Sequence, residues 1–224
     1  MPTVLVTGAN RGIGLEFVRQ YAGDGWRVLA CCRTSDAASG LKSVEGEVSI
    51  HPLDVASPTA IRAIGAEIDA PLDVVVANAG LGGKAAESFG AINYDGWDET
   101  FAVNVRGVVA TAEAFAPHLK RAEGKFAAIS SLMGSIEDAS SGALCYRSTK
   151  AAVNMAMKII AAEFEADGVA AAPFHPGWVK TDMGGSSAPT TVEESVDGLR
   201  RQINVLQATA SPQFLDFRGE KLPW

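Results

Sequence analysis

Tyr146 and Lys150 stand four residues apart in the run Tyr146-Arg147-Ser148-Thr149-Lys150. On a helix that spacing puts two side chains on one face, with Cβ atoms about 5–6 Å apart. A free phenol has a pKa of about 10, too high for easy proton exchange near neutrality. A neighbouring ammonium stabilises the phenolate, so the pair reads as a general acid with its tuning group. Lys150 is also long enough to reach a cofactor ribose. In isolation, a Tyr-x-x-x-Lys pair is equally the face of a surface helix. Here it follows an apolar run ending in Ser130-Ser131, which makes coincidence a poorer explanation.

A second chemical signal lies near the start, in Thr7-Gly8-Ala9-Asn10-Arg11-Gly12-Ile13-Gly14. Gly8 permits a tight turn. Gly12 and Gly14 let backbone approach a pyrophosphate and let a helix pack on the preceding strand. The helix N-terminus would offer free N–H groups and positive partial charge to the phosphates. Glycines alone would make only a Gly-rich turn, but their place between a strand and a helix points to a dinucleotide. Gly8, Asn10, Arg11, Gly12, Ile13 and Gly14 are the expected contacts. The second apolar run ends Ala30-Cys31-Cys32-Arg33, with no carboxylate before Asp36 to receive ribose hydroxyls. Arg33 could meet an adenosine 2′-phosphate, and Arg11 could meet it from the other side. NADP(H) is therefore expected over NAD(H); the alternative is that both arginines are solvated surface groups.

These groups need a scaffold, and the apolar pattern supplies one. Strands are expected over residues 3–7, 27–32, 48–53, 74–77, 125–130, 169–175 and 213–217. Helices are expected over 13–22, 57–67, 94–120, 144–166 and 192–207. Several strand runs are continuously apolar, as in strands buried on both faces. The alternation predicts an α/β, doubly wound Rossmann fold: about seven parallel strands with helices on both faces, as a single domain spanning 1–224. A chain of 224 residues fits one such domain.

Composition narrows the partners. The net charge of −7 argues against nucleic acid and anionic membranes, which favour basic patches. No uninterrupted apolar stretch reaches the length of a membrane span. No basic segment precedes Thr3-Val4-Leu5-Val6, so no signal peptide is expected. The three cysteines, Cys31, Cys32 and Cys145, read as reduced, packed thiols, which suits the cytoplasm. His51, His118 and His175 are too scattered for a metal site, so none is expected. Met155, Met157, Ile159 and Ile160 read as core or subunit interface.

Taken together, Thr7-Gly8-x-x-x-Gly12-x-Gly14, Asp54, Asn78-Ala79-Gly80, Asn104, Ser131, Tyr146-x-x-x-Lys150 and Pro176-Gly177 resemble the short-chain dehydrogenase/reductases over essentially the whole chain. Thr181-Asp182-Met183-Gly184-Gly185 and Gly219-Glu220-Lys221-Leu222-Pro223-Trp224 are most similar to the small C-factor and sniffer-type carbonyl reductases. The resemblance implies that Tyr146 protonates a substrate carbonyl while hydride arrives from the nicotinamide. It implies that Ser131, rather than its neighbour Ser130, binds the same oxygen. Lys150 would hold the ribose, and Asn104 would position a water in a proton relay. Asp54 would accept from the adenine amino group and Val55 would donate its N–H. Asn78, Ala79 and Gly80 would line the cofactor, with Asn78 also bracing the sheet. Pro176, Gly177, Val179 and Thr181 would face the nicotinamide amide.

Two departures stand out. Ala77 replaces the first asparagine of the common pattern, and the segment between Asp182 and Val192 is short and rich in Gly, Ser and Pro. The second suggests a shallow, open substrate site with weak selectivity. The expected activity is reduction of a small-molecule aldehyde, ketone or quinone. The alternative is a nucleotide-binding signalling protein of the C-factor type with incidental catalysis. By the same resemblance, the long helices around 98–118 and 146–165 would form a homodimer or homotetramer.

Overall fold

The computed structural model describes residues 1–34, 39–82 and 89–224. Asp36 lies outside them. Strands β1 (Thr3–Thr7), β2 (Arg27–Cys32), β3 (Val48–Pro52), β4 (Val74–Ala77), β5 (Lys125–Ile129), β6 (Ala170–His175) and β7 (Leu215–Asp216) form one sheet in the order β3-β2-β1-β4-β5-β6-β7. Every neighbouring pair is parallel, with Leu5 opposite Leu29 on one side and Val75 on the other. Parallel strands need crossovers, and α1 (Gly12–Gly23), α2 (Ser39–Lys42), α3 (Pro58–Glu67), α4 (Tyr94–Phe101), α5 (Gly107–Ala122), α6 (Leu144–Glu165) and α7 (Val192–Val205) lie between them. The result is a doubly wound Rossmann-type fold.

Two apolar cores, one per face, explain the continuous apolar strands. Leu5, Val75, Phe126 and Ala171 pack against Phe115, Val153 and Met157 of α5 and α6. Val4, Val76, Ala127 and Phe174 pack against Phe17, Val196 and Leu199 of α1 and α7. Cys31 belongs to the first core and Cys32 to the second, so neighbouring thiols face opposite ways, and none of the three cysteines is in a disulfide. Burial pushes the Cys31 thiol up to about 12, which keeps it protonated and inert.

Two expectations need correction. The helix expected over 94–120 is interrupted by a π-helical turn, Ala102–Arg106. The last strand, expected over 213–217, is only Leu215–Asp216, because the chain folds back through an antiparallel bridge between Leu215 and Lys221. The short α2 and a 3-10 turn at Leu132–Gly134 carried no periodic signal long enough to see. Among the described residues, no helix is long and apolar enough to cross a membrane.

Candidate active site

Strand order reverses between β1 and β4, where the crossovers leave for opposite faces and a crevice opens above the strand ends. The glycine loop sits there. Gly8 has φ +65°, and a Cβ on it would lie 2.8 Å from the Ala79 Cα. A Cβ on Gly14 would lie 2.2 Å from the Gly8 carbonyl oxygen and 2.6 Å from Asn78 Nδ2. No larger residue fits without moving backbone. Asn78 ties the two strand ends together, its Nδ2 donating to the Thr7 and Gly8 carbonyls at 3.0 and 3.2 Å. Thr7 Oγ1 accepts from the Asn78 and Ala79 N–H groups, both at 3.1 Å.

Helix α1 begins without a capping side chain: Arg11 at its N-cap makes no such bond, and its first turn has no acidic residue. Helices α3, α4 and α7 are capped by Ser57, Asn93 and Thr191. The orphan N–H groups of α1, including that of Ile13, are thus left for an anion. Arg33 is exposed at the end of β2. Arg11 instead reaches across the crevice and pairs with Asp182 at 2.9 Å, so it bridges the glycine loop to the loop after β6. Both groups are largely exposed, and such a pair is weak. Asp54 is exposed and accepts from the Ala56 N–H at 2.9 Å, while Val55 is buried.

The long α6 brings Tyr146 and Lys150 beside the end of β5. Lys150 is only 6% exposed; its Nζ donates to the Ile129 carbonyl at 2.8 Å and lies 5.6 Å from the centre of the Tyr146 ring. Burial lowers its pKa to about 8. Burial also raises the Tyr146 pKa, opposed by a hydrogen bond with Ser131. The expectation of a lowered phenol pKa is therefore corrected for this arrangement: desolvation by burial dominates, and the net shift is upward. The neighbouring serines divide their work. Ser131 Oγ accepts from the Met133 N–H at 3.2 Å and bonds Tyr146. Ser130 turns into the core and donates to Asn154 Oδ1 at 2.6 Å.

Asn104 lies within the π turn and is completely buried. Its Oδ1 accepts from the Leu81 N–H at 2.8 Å. Its Nδ2 donates to the Leu81 carbonyl at 2.9 Å and to Thr149 Oγ1 at 3.0 Å. The asparagine therefore joins the chain beyond β4 to α6, next to the candidate Lys150. Gly80 passes between the two: a Cβ there would lie 3.4 Å from Asn104 Oδ1 and 3.7 Å from Lys150 Nζ. π turns often sit at functional sites, and this one redirects the helix at the residue facing α6.

After β6, the buried Ser195 hydroxyl of α7 donates to the Pro176 carbonyl at 2.6 Å. Gly177 takes φ +86°, and Val179 bridges Thr190. Thr181 Oγ1 accepts from the Gly184 N–H at 3.1 Å, and its methyl would lie 3.3 Å from a Cβ on Gly12. This loop and the phosphate loop thus meet. Three large apolar residues from the flanking loops, Ile136, Trp178 and Met183, are more than half exposed. The Trp178 indole is held by donation to the Gly184 carbonyl at 2.7 Å.

Sequence reasoning missed Thr149, Asn154 and Ser195, which hold the site from behind. Only the i+4 spacing of Asn154 from Lys150 hinted at any of them. Among the described residues no cluster of three or more His, Cys, Asp or Glu could hold a metal. A groove of about 660 Å³ between α3 and α5 is lined by none of the candidate residues.

Sheets of this winding take dinucleotides at the reversal point, and Ser131, Tyr146 and Lys150 gather beside the end of β5. The class is NAD(P)-dependent oxidoreductase. Comparison with known proteins sharpens it. The profile of the short chain dehydrogenase family matches residues 2–191. The C-signal protein of Myxococcus xanthus is 36% identical over 156 residues, 69% of this chain and 93% of that one. The NADPH-bound carbonyl reductase from chicken fatty liver superposes with a TM-score of 0.92 at 32% identity, covering 100% of this chain and 99% of that one. The carbonyl reductase Sniffer of D. melanogaster gives 0.93 at 29% identity, with both chains covered completely. The chain belongs to the short-chain dehydrogenase/reductase family.

Proposed function

We propose that this protein is an NADPH-dependent carbonyl reductase. The observation that carries the reading is the Ser131–Tyr146–Lys150 arrangement, with Ser131 and Lys150 buried, in a fold whose first loop admits no side chain at Gly8 or Gly14. NADP(H) suits the residues present: Gly8 and Gly14 let the loop pack tightly on the strand ends, the start of α1 is uncapped and free to meet a pyrophosphate, and Arg33 is exposed at the end of β2. Asp54, Val55, Asn78, Ala79 and Gly80 would hold the dinucleotide from adenine to nicotinamide, and Pro176, Gly177, Val179 and Thr181 would meet its amide. When bound, the dinucleotide supplies the hydride.

The chain's own groups handle the proton and the charge. A carbonyl oxygen is held by the Ser131 hydroxyl and receives the phenolic proton of Tyr146. Lys150 holds the ribose and offsets negative charge left on the phenol. Asn104, fixed by Leu81 and Thr149, supports water-borne return of the proton from solvent. Ile136, Trp178 and Met183 offer apolar surface with few polar constraints, so aldehydes, ketones and quinones of varied shape should be accepted.

The direct test is to follow oxidation of NADPH and NADH against a panel of such carbonyls. Turnover should favour NADPH. Arg33→Ala should weaken NADPH binding by about 10–100-fold and change NADH binding less than about threefold, since a charge-assisted phosphate contact is lost. Equal weakening of both cofactors would contradict the assignment of Arg33. The likeness to C-signal supports a second reading, a signalling protein whose bound nucleotide is the point. A wild-type protein that binds NADPH but turns over no carbonyl would favour it.

Assembly is also proposed. Met155 and Ile159, four apart on α6, are 61% and 56% exposed, while Met157 between them is fully buried. An apolar stripe on a long helix suits a two-fold helical interface, giving a homodimer or homotetramer. Light scattering should report at least twice the monomer mass, and Met155→Glu with Ile159→Lys should return it to the monomer value. The reduced, buried thiols suit the cytoplasm.

A further inference from the structure

We infer that Trp224 is a positioning residue for Ser131: it pins the turn that leaves the serine, and so sets the hydroxyl against the phenol. This inference rests on the reductase reading. The turn is short and continuous. Ser131 accepts from the Met133 N–H through its side chain and from the Gly134 N–H through its carbonyl, and the Ser135 N–H closes on the Leu132 carbonyl at 2.9 Å. Gly134 is wedged against α6, where a Cβ would lie 2.6 Å from the Lys150 carbonyl carbon. From Ser131 to Ser135 there is therefore no slack, and a displacement at one end moves the other.

At the far end the turn is held by Trp224. Its main-chain oxygen accepts from the Ile136 N–H at 3.0 Å, the Glu137 N–H at 3.3 Å and the Ser135 hydroxyl at 3.2 Å. The same hydroxyl accepts from the Asp138 N–H at 3.0 Å. Ser135 is 2% exposed, so these groups have little water to turn to.

Trp224 is itself anchored by its ring. The indole packs on Phe214, with ring centroids 5.9 Å apart, and Lys158 of α6 lies 5.3 Å from its centre. Behind it, the fold-back from β7 is fastened by Asp216, whose Oδ1 accepts from the Arg218 and Glu220 N–H groups at 2.8 Å each. The Leu222 N–H donates to the Phe214 carbonyl at 2.9 Å. The edge of the sheet, the side of α6 and the catalytic turn are thus joined at one residue.

Trp224→Ala removes the ring and frees the oxygen; Trp224→Phe keeps a ring over Phe214 and Lys158. In the alanine variant kcat should fall about tenfold, NADPH affinity should stay within twofold, and the Ile136 and Glu137 amides should exchange at least tenfold faster. The Tyr146 ring carbon, followed by NMR with labelled tyrosine, should titrate at higher pH, because its bond with Ser131 is weakened. The phenylalanine variant should recover most of each effect. Faster amide exchange with kcat and the Tyr146 titration unmoved would reduce Trp224 to a structural anchor and overturn the inference. Unchanged exchange would also overturn it. If the wild-type protein reduced no carbonyl, the reductase reading would fail on its own, while the exchange and titration measurements would still decide the role of Trp224.

Discussion

Tyr146→Phe is expected to reduce carbonyl turnover by about 10²–10⁴-fold while leaving NADPH affinity within about twofold. The substitution removes one oxygen and keeps the ring volume, so the packing around α6 should survive. Loss of the Ser131 bond should lower stability by about 1 kcal/mol, visible as a small drop in the urea midpoint. The direction of the pKa shift adds a second expectation. Burial raises the Tyr146 pKa above its ordinary value of 10, so the phenol is protonated throughout the physiological range. The protein should therefore be ready to give a proton, and reduction should run near pH 7 without delay. Oxidation of an alcohol needs the phenolate, so its rate should climb with pH well past 8. Turnover in Tyr146→Phe above a tenth of wild type, measured by loss of NADPH absorbance, would remove the tyrosine from the proton-donor role.

The sheet was readable because its strands are buried on both faces, which leaves apolar runs such as Val74-Val75-Val76-Ala77 that little else produces. The glycine loop was readable for a related reason: a side chain at Gly14 or Gly8 would bring its Cβ within 2.2 or 2.8 Å of neighbouring backbone, which leaves the sequence no choice of residue. What escaped was geometry that residue type does not encode. The π turn at Ala102–Arg106 widens the helix within a pattern that still looks helical over 94–120. The choice between Ser130 and Ser131 came from resemblance, because adjacent hydroxyls just past β5 look alike in sequence and differ only in which part of α6 they meet. Ser130 leaves toward Asn154, and Ser131 leaves toward Tyr146. Arg11 was assigned by charge alone, and charge does not say which anion it meets; here that anion is Asp182. The phenol pKa went the wrong way because spacing shows that an ammonium is near but not how dry the pair is.

Lys150→Met separates function from stability more sharply. A lysine whose pKa drops from 10.5 to about 8 in the fold holds its charge at a penalty of roughly 3 kcal/mol below pH 8. Its bond to the Ile129 carbonyl, worth about 1.5 kcal/mol when charged, recovers part of that. Methionine fills a similar volume without charge, so the variant should be more stable than wild type by about 1–2 kcal/mol at pH 7. The sign of the pH dependence follows. Between pH 8 and 10.5 the folded lysine binds fewer protons than the unfolded one, so wild-type stability rises with pH across that window. The advantage of Lys150→Met should accordingly be full below pH 8, shrink through the window and vanish near its top, as read from urea midpoints at a series of pH values. Activity should move oppositely, with turnover down at least about 10²-fold and NADPH bound more weakly, since the group that holds the ribose and balances the phenol is gone. A variant less stable than wild type at pH 7 would show that the ammonium is better solvated than its burial implies. That result would also undercut the cause assigned to the raised phenol, because both shifts come from the same exclusion of water between α6 and β5.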